Sequence, residues 1–179
     1  MNIFITDECP TACAATLADQ HVVSQTGETA RILVTALHRR GISGPLFGKP
    51  YNPGGRFAKW AAEDWHHFMW LSFHGMALAE EHDHRFDKVH KSTSEIIAAG
   101  QLGYLMMDSD PHVPFRWPRC EAAKKYIEGH GLDVFHAYAN VLRDKYATWT
   151  QTGGRKVPKW TNTSPPDWLA ETTDEYLLR

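Results

Sequence analysis

The stretch DQHVVSQTGETARILVTALHRR, Asp19 to Arg40, sets Val22, Thr26, Ala30, Leu33, Ala36 and Leu37 at steps of three and four. That period predicts an α-helix with one apolar stripe turned toward a core. The other stripe carries His21, Ser24, Gln25, Glu28, Arg31, Thr35 and His38. An imidazole, a carboxylate and a guanidinium along one face form a general acid/base set, with a cation able to hold a phosphate. The competing reading is a solvated face with intrahelical pairs such as Glu28 with Arg31. Gly41 follows, and glycine suits the left-handed position just after a helix.

Working outward, Asn2 to Thr6 is a short apolar run that can form a strand. Asp7 then stands where an N-cap would, with Pro10 tolerated in the first turn of a short helix reaching about Leu17. Downstream, Gly44 to Gly55 holds three prolines and four glycines and reads as a loop. Phe57 and Trp60 begin another helical run. Asp64 can cap a long helix through Glu81 or beyond, with Trp65, Phe68, Met69, Ser72, Gly75, Met76 and Ala79 on its inner face. Ser92 and Glu95 have capping-box spacing for a helix that stops near Gly100. Gly103 to Pro118, with Pro111, Pro114 and Pro118, reads as a long connection. Helices resume over Arg119 to Glu128 and Asp133 to Trp149. After Thr150 the chain turns irregular around Trp160, Pro165, Pro166 and Trp168. The expectation is a mainly α fold: one domain over residues 1–179, an orthogonal helical bundle with a loop-rich C-terminal arm from 150 to 179.

The 179 residues, 42% hydrophobic and 22% charged, fit a globular domain able to bury a continuous core. A formal charge of −2 argues against binding nucleic acid by bulk electrostatics, yet leaves room for a local basic face. Basic residues gather at Arg116, Arg119, Lys124 and Lys125, and again at Arg143, Lys145, Arg155, Lys156 and Lys159. Acidic ones gather at Asp167, Glu171, Asp174 and Glu175. Cys9, Cys13 and Cys120 are an odd set, read as reduced thiols, with Cys9 and Cys13 as packing residues. The amino end lacks the pattern of a signal peptide, and the longest apolar stretches are far too short for a membrane span. A cytoplasmic protein with no membrane partner is expected.

A second constellation lies at Glu80, Glu81, His82, His84, Arg85, Lys88, His90 and Lys91. His82, His84 and His90 with Asp83 or Asp87 supply donors for a divalent metal, but no helical i, i+4 histidine pair is present. Alternatively Arg85, Lys88, His90 and Lys91, just past a helix C-terminus, bind a phosphate. The plainest alternative is a solvated capping segment. No cofactor and no metal are assigned. Among the aromatics, Trp65 and Phe68 read as core, whereas Trp117 and Phe115, on the long connection, are candidates to stack on a base.

LADQHVVSQTGETAR, Leu17 to Arg31, resembles the catalytic helix of the pyrimidine-dimer DNA glycosylase (endonuclease V) family of T-even bacteriophages, which are small all-α enzymes. The resemblance implies that Glu28 is the catalytic carboxylate, that His21 lies with it at the damaged nucleotide, and that Arg31 binds a phosphate. That family attacks the sugar with an amino-terminal α-amine freed by loss of the first methionine, and has an arginine just before its glutamate. Here Asn2 follows Met1, and Gly27 stands in the arginine's place. The expectation is retention of Met1 and attack by water, with Arg31, Arg85 or Lys88 supplying the phosphate clamp. The chain as a whole looks still closer to a family of uncharacterised bacteriophage proteins that begin MNIF, carry a His-Val-Val and Glu-Thr-Ala helix, and later a motif like KVHK, here Lys88 to Lys91. A phage-encoded protein would act in the host cytoplasm. These readings converge on a DNA-acting enzyme, a glycosylase for a damaged or modified pyrimidine nucleotide. The alternatives are a non-catalytic binder of a small nucleotide and a metal-dependent hydrolase.

Overall fold

A computed structural model describes residues 2–45, 47–109, 113–151 and 157–170. Its helices are α1 (Pro10–Ala15), α2 (Asp19–Arg39), α3 (Arg56–Glu63), α4 (Trp65–Phe86), α5 (Thr93–Leu102), α6 (Glu121–His130) and α7 (Val134–Gln151). The fold is mainly α, its helices packed together in one domain. Val22, Thr26, Ala30, Leu33, Ala36 and Leu37 of α2 are all buried, as the periodicity requires. They meet α4, whose buried Phe68, Leu71, Ser72, Gly75 and Leu78 form the other half of the centre. Each fully buried Leu or Phe contributes about 1.5–3 kcal/mol by leaving water.

The two central helices approach closely at Gly75. A Cβ there would stand 2.8 Å from the Thr29 methyl of α2 and 3.1 Å from Ile96 of α5, so only glycine lets the three helices meet. Asp64 caps α4 as expected, accepting the His66 amide N–H at 2.7 Å. Gly41 follows the end of α2, its φ of 74° in the left-handed region.

Several local expectations are corrected. Ile3, Phe4 and Ile5 are extended and buried, but among the described residues they join no sheet. Phe4 has its carbonyl met by the Cys13 thiol at 3.1 Å instead. Asp7 does not cap α1; it accepts the Cys9 N–H at 2.7 Å in a tight turn before it. Cys13 is buried, its thiol pKa pushed up to about 11 by burial, whereas Cys9 is exposed and so is no packing residue. The Ser92 side chain makes no cap, and Glu95 instead accepts the Gly48 N–H at 3.1 Å, tying the 44–55 loop to α5. The connection expected from Gly103 begins as a 3₁₀ helix, Gly103–Ser109.

The C-terminal arm crosses the start of α2. Lys159 O accepts the Asp19 N–H at 2.8 Å, and the Asp19 carboxylate accepts from the Thr161 amide and hydroxyl. Trp160 stands edge-on to Tyr146 of α7 and donates to Thr16 O. Among the described residues no helix is long and apolar enough to cross a membrane. Met1, Pro111, Arg155, Lys156, Glu171, Asp174 and Glu175 lie outside the described residues.

Candidate active site

Glu28 sits half-buried on α2, and its Oε2 is where two donors converge. The Asn2 backbone N–H donates to it at 3.0 Å and the buried Gln25 side-chain amide at 3.4 Å. The stripe is therefore not a solvated face: His21, Gln25 and Thr35 are buried, and among the described residues no ion pair joins Glu28 to Arg31. Segment 2–5 covers one flank of the helix and the 44–55 loop another. Arg31 is exposed, its guanidinium 5.7 Å from the Tyr51 ring centroid.

His21 shares the stripe of Glu28 but is buried. It is 3% exposed, its Nδ1 lies 2.8 Å from the Tyr146 hydroxyl, and its ring is walled by Phe4, Tyr146 and Trp149 at 4.8–5.3 Å between centroids. The same hydroxyl accepts the Ala18 N–H, and burial raises the Tyr146 pKa. Through Phe4, His21 braces the segment that brings Asn2 to Glu28.

Arg85 is corrected most sharply. Its side chain is fully buried and its donors are used within the fold. Nη1 donates to Leu17 O at 2.7 Å and pairs with Asp19 at 3.2 Å; Nη2 donates to Ala15 O at 3.0 Å; Nε donates to Glu81 at 2.8 Å. It clasps the end of α1 and the start of α2 to α4, so no phosphate can reach it. His90 is also buried, its Nδ1 accepting the Ser92 N–H at 3.1 Å. Burial, with His82 and Lys91 nearby, depresses its pKa.

The turn around His90 nevertheless reaches α2. A Cβ on Gly27 would lie 3.8 Å from the His90 ring and 3.9 Å from the Ser92 hydroxyl, so the exposed Lys88 and Lys91 flank a turn that packs one residue before Glu28. Of the cations named from the sequence, Arg31, Lys88 and Lys91 are exposed. The metal alternative finds no convergence of ligands: among the described residues no group of three or more His, Cys, Asp or Glu side chains could hold an ion. His82 Nδ1 lies 2.6 Å from Lys88 O, and His84 Nε2 lies 3.2 Å from Asn162 O.

Trp117 makes its ring contacts with other aromatic side chains. It is half-buried in an aromatic wall, edge-on to Trp70, Phe115 and Phe135 at 4.7–5.3 Å. Phe115, 40% exposed, belongs to the same wall.

A cavity of about 480 Å³ opens beside Asn2, floored by Ile32 and lined by Asn52, Arg56 and Cys120 among others. The first turns of α3 and α6 border it, and Arg56 pairs there with Glu121. Tyr51, Asn52 and Arg56 escaped the sequence reading because a loop rich in proline and glycine shows no period to mark what it faces. The Pro-Tyr-Asn-Pro stretch, Pro50 to Pro53, was the available signal of a stiff turn. Comparison of the chain with family models, with curated proteins and with solved structures gives no match.

Proposed function

We propose that this chain is a DNA-acting enzyme, a glycosylase that cleaves or processes a damaged or modified pyrimidine nucleotide at Glu28. The observation that carries the reading is the 3.0 Å hydrogen bond from the residue 2 backbone nitrogen to the Glu28 carboxylate. The resembled family works with an amino-terminal nitrogen and a glutamate, and the contact of the Asn2 backbone N–H with Glu28, one residue from the chain's first amine, supports the reading. As the base leaves, Glu28 stabilises the positive charge that develops on the deoxyribose. Arg31, Lys88 and Lys91 hold phosphates on either side. With Met1 attached, the Asn2 nitrogen is an amide that donates and cannot attack, so water is the nucleophile.

The test is release of free base from duplexes carrying pyrimidine dimers or modified pyrimidines, with Glu28→Gln as control and borohydride added to trap any iminium. Base release without adduct is the expected result. An adduct at residue 1 or 2 would return the amine mechanism, and one at Lys88 or Lys91 would make a side chain the nucleophile. Base release by a folded Glu28→Gln variant at the wild-type rate would remove Glu28 from the mechanism. The cavity bordered by Arg56 and Asn52 favours a second reading, a binder of a small nucleotide. Tight mononucleotide binding without duplex affinity would replace the first reading with it.

A further inference from the structure

We infer that Tyr51 is a stacking platform on which a nucleobase of the bound strand rests, with that nucleotide's phosphate on Arg31; this rests on the DNA-acting reading above. Tyr51 is 56% exposed, although its backbone hydrogen-bonds a buried side chain. Its N–H donates to the hydroxyl of the fully buried Thr35 at 3.0 Å, and that hydroxyl lies 3.2 Å from its carbonyl. On either side the loop is tied down again. Gly48 N–H reaches Glu95, and Pro53 O accepts from Arg39 at 2.7 Å. Asn52 O accepts the Gly55 N–H at 2.8 Å, with Asn52 itself at φ 52° and prolines at 50 and 53.

A loop this constrained has already lost the entropy that stacking would otherwise cost. A surface ring usually folds down over apolar neighbours, yet this one stays in solvent beside a guanidinium. Arg31, 5.7 Å from the ring centroid, is drawn to its π-face, which orients the cation without neutralising it. Thr35, which anchors Tyr51, follows Glu28 by seven residues, about 10 Å along the helix axis. Ring, cation and carboxylate thus lie along one helix face within the span of about one nucleotide. A planar base meets the ring, an anion meets Arg31, and the sugar beside them meets Glu28. Stacking tolerates any base, so the platform adds affinity without choosing sequence.

The test compares wild type, Tyr51→Phe, Tyr51→Leu and Tyr51→Ala for binding of a labelled oligothymidylate and of a pyrimidine-lesion duplex, alongside base release and a thermal melt. The Leu and Ala variants should bind oligothymidylate roughly tenfold more weakly, and Phe should restore the affinity. In base release the loss should fall on KM, with kcat nearly unchanged. Wild-type affinity in a folded Tyr51→Leu protein overturns the platform, as does a Phe variant no better than Ala. If base release proceeds in every variant with KM unmoved, the platform fails and the glycosylase reading stands. If binding drops in the Leu variant but no base is ever released, the platform stands and the glycosylase reading fails. If wild type binds neither oligonucleotide, both fall.

Discussion

The His21 to Arg31 face of α2 and the Glu81 to Lys91 end of α4 carry the same inventory of imidazole, carboxylate and cation, yet the fold uses them in opposite ways. At the end of α4 the guanidinium of Arg85 is sealed and bound to two carboxylates and two carbonyl oxygens from the junction of α1 and α2. On α2 the guanidinium of Arg31 stays in solvent, three residues from a half-buried carboxylate that meets the backbone N–H of Asn2. Helical spacing places polar groups on one stripe; what lies over the stripe decides whether they hold the fold or face a ligand. The largest effect expected from this contrast is on rate. Glu28→Gln should lower base release by roughly a thousandfold or more while leaving the melting temperature near wild type, because it removes charge from a half-open site without emptying core volume. Loss of the fold in that variant would put Glu28 in the class of Arg85.

Arg85→Met is the reciprocal experiment. It keeps a long apolar stem but leaves Asp19 and Glu81 facing each other around an uncompensated gap, and removing one member of a buried ion pair typically costs about 3–5 kcal/mol. Denaturant unfolding should show that loss, while base release by the fraction still folded should keep its KM. A variant as stable as wild type that no longer binds DNA would restore Arg85 to the phosphate clamp and erase the contrast.

The helices were legible for a definite reason. Apolar steps of three and four in α2, α4 and α7 have one structural solution, and Asp64 and Gly41 mark boundaries by their own backbone chemistry. The surroundings of the candidate site were legible only in part. Glu28 and Arg31 could be named from spacing, and the 88–91 turn does pack beside them, at Gly27. The burial of His21 and Arg85 was not legible, because it depends on residues distant in sequence: Tyr146 lies 125 positions from His21, and Leu17 lies 68 from Arg85. Asn2 was noticed for what it implies about Met1, whereas its hydrogen bond to Glu28 arises only when segment 2–5 packs into the core. Tyr51 lies in a stretch without any period.

A smaller effect sets the core imidazoles apart by pH. His74 of α4 is fully buried, stacked on Trp70, with its Nδ1 3.2 Å from Pro10 O, and burial holds its pKa down from 6.5 to about 4. The folded state therefore binds this proton less readily than the unfolded chain. The stabilisation is complete above pH 6.5 and drains away as pH falls toward 4, by up to about 3 kcal/mol from this one group. Melts across that window should show the decline, and His74→Gln, which keeps a donor for Pro10 O, should flatten it. An unchanged slope in a folded His74→Gln protein would move the acid sensitivity elsewhere, His90 being the next candidate.

The smallest effect, and the finest test of the contrast, is on the salt dependence of DNA binding. Each phosphate neutralised by a lysine or arginine releases condensed counterions, so log affinity falls with log salt at a slope of about 0.9 per contact on duplex DNA. Arg31 and Lys91 are exposed and should each account for one such contact. Arg31→Ala and Lys91→Ala should therefore each reduce the slope by about 1 and weaken binding evenly across sequences. Arg85→Met, measured at a temperature where it stays folded, should leave the slope untouched, because a cation already neutralised inside the protein has no counterion to release. Thermal stability should hardly move in the two alanine variants, since both side chains are solvated. If the slope is the same in Arg31→Ala, Lys91→Ala and wild type, the duplex does not run along this face of α2, and the small-nucleotide reading then accounts for Arg31 better than the glycosylase one.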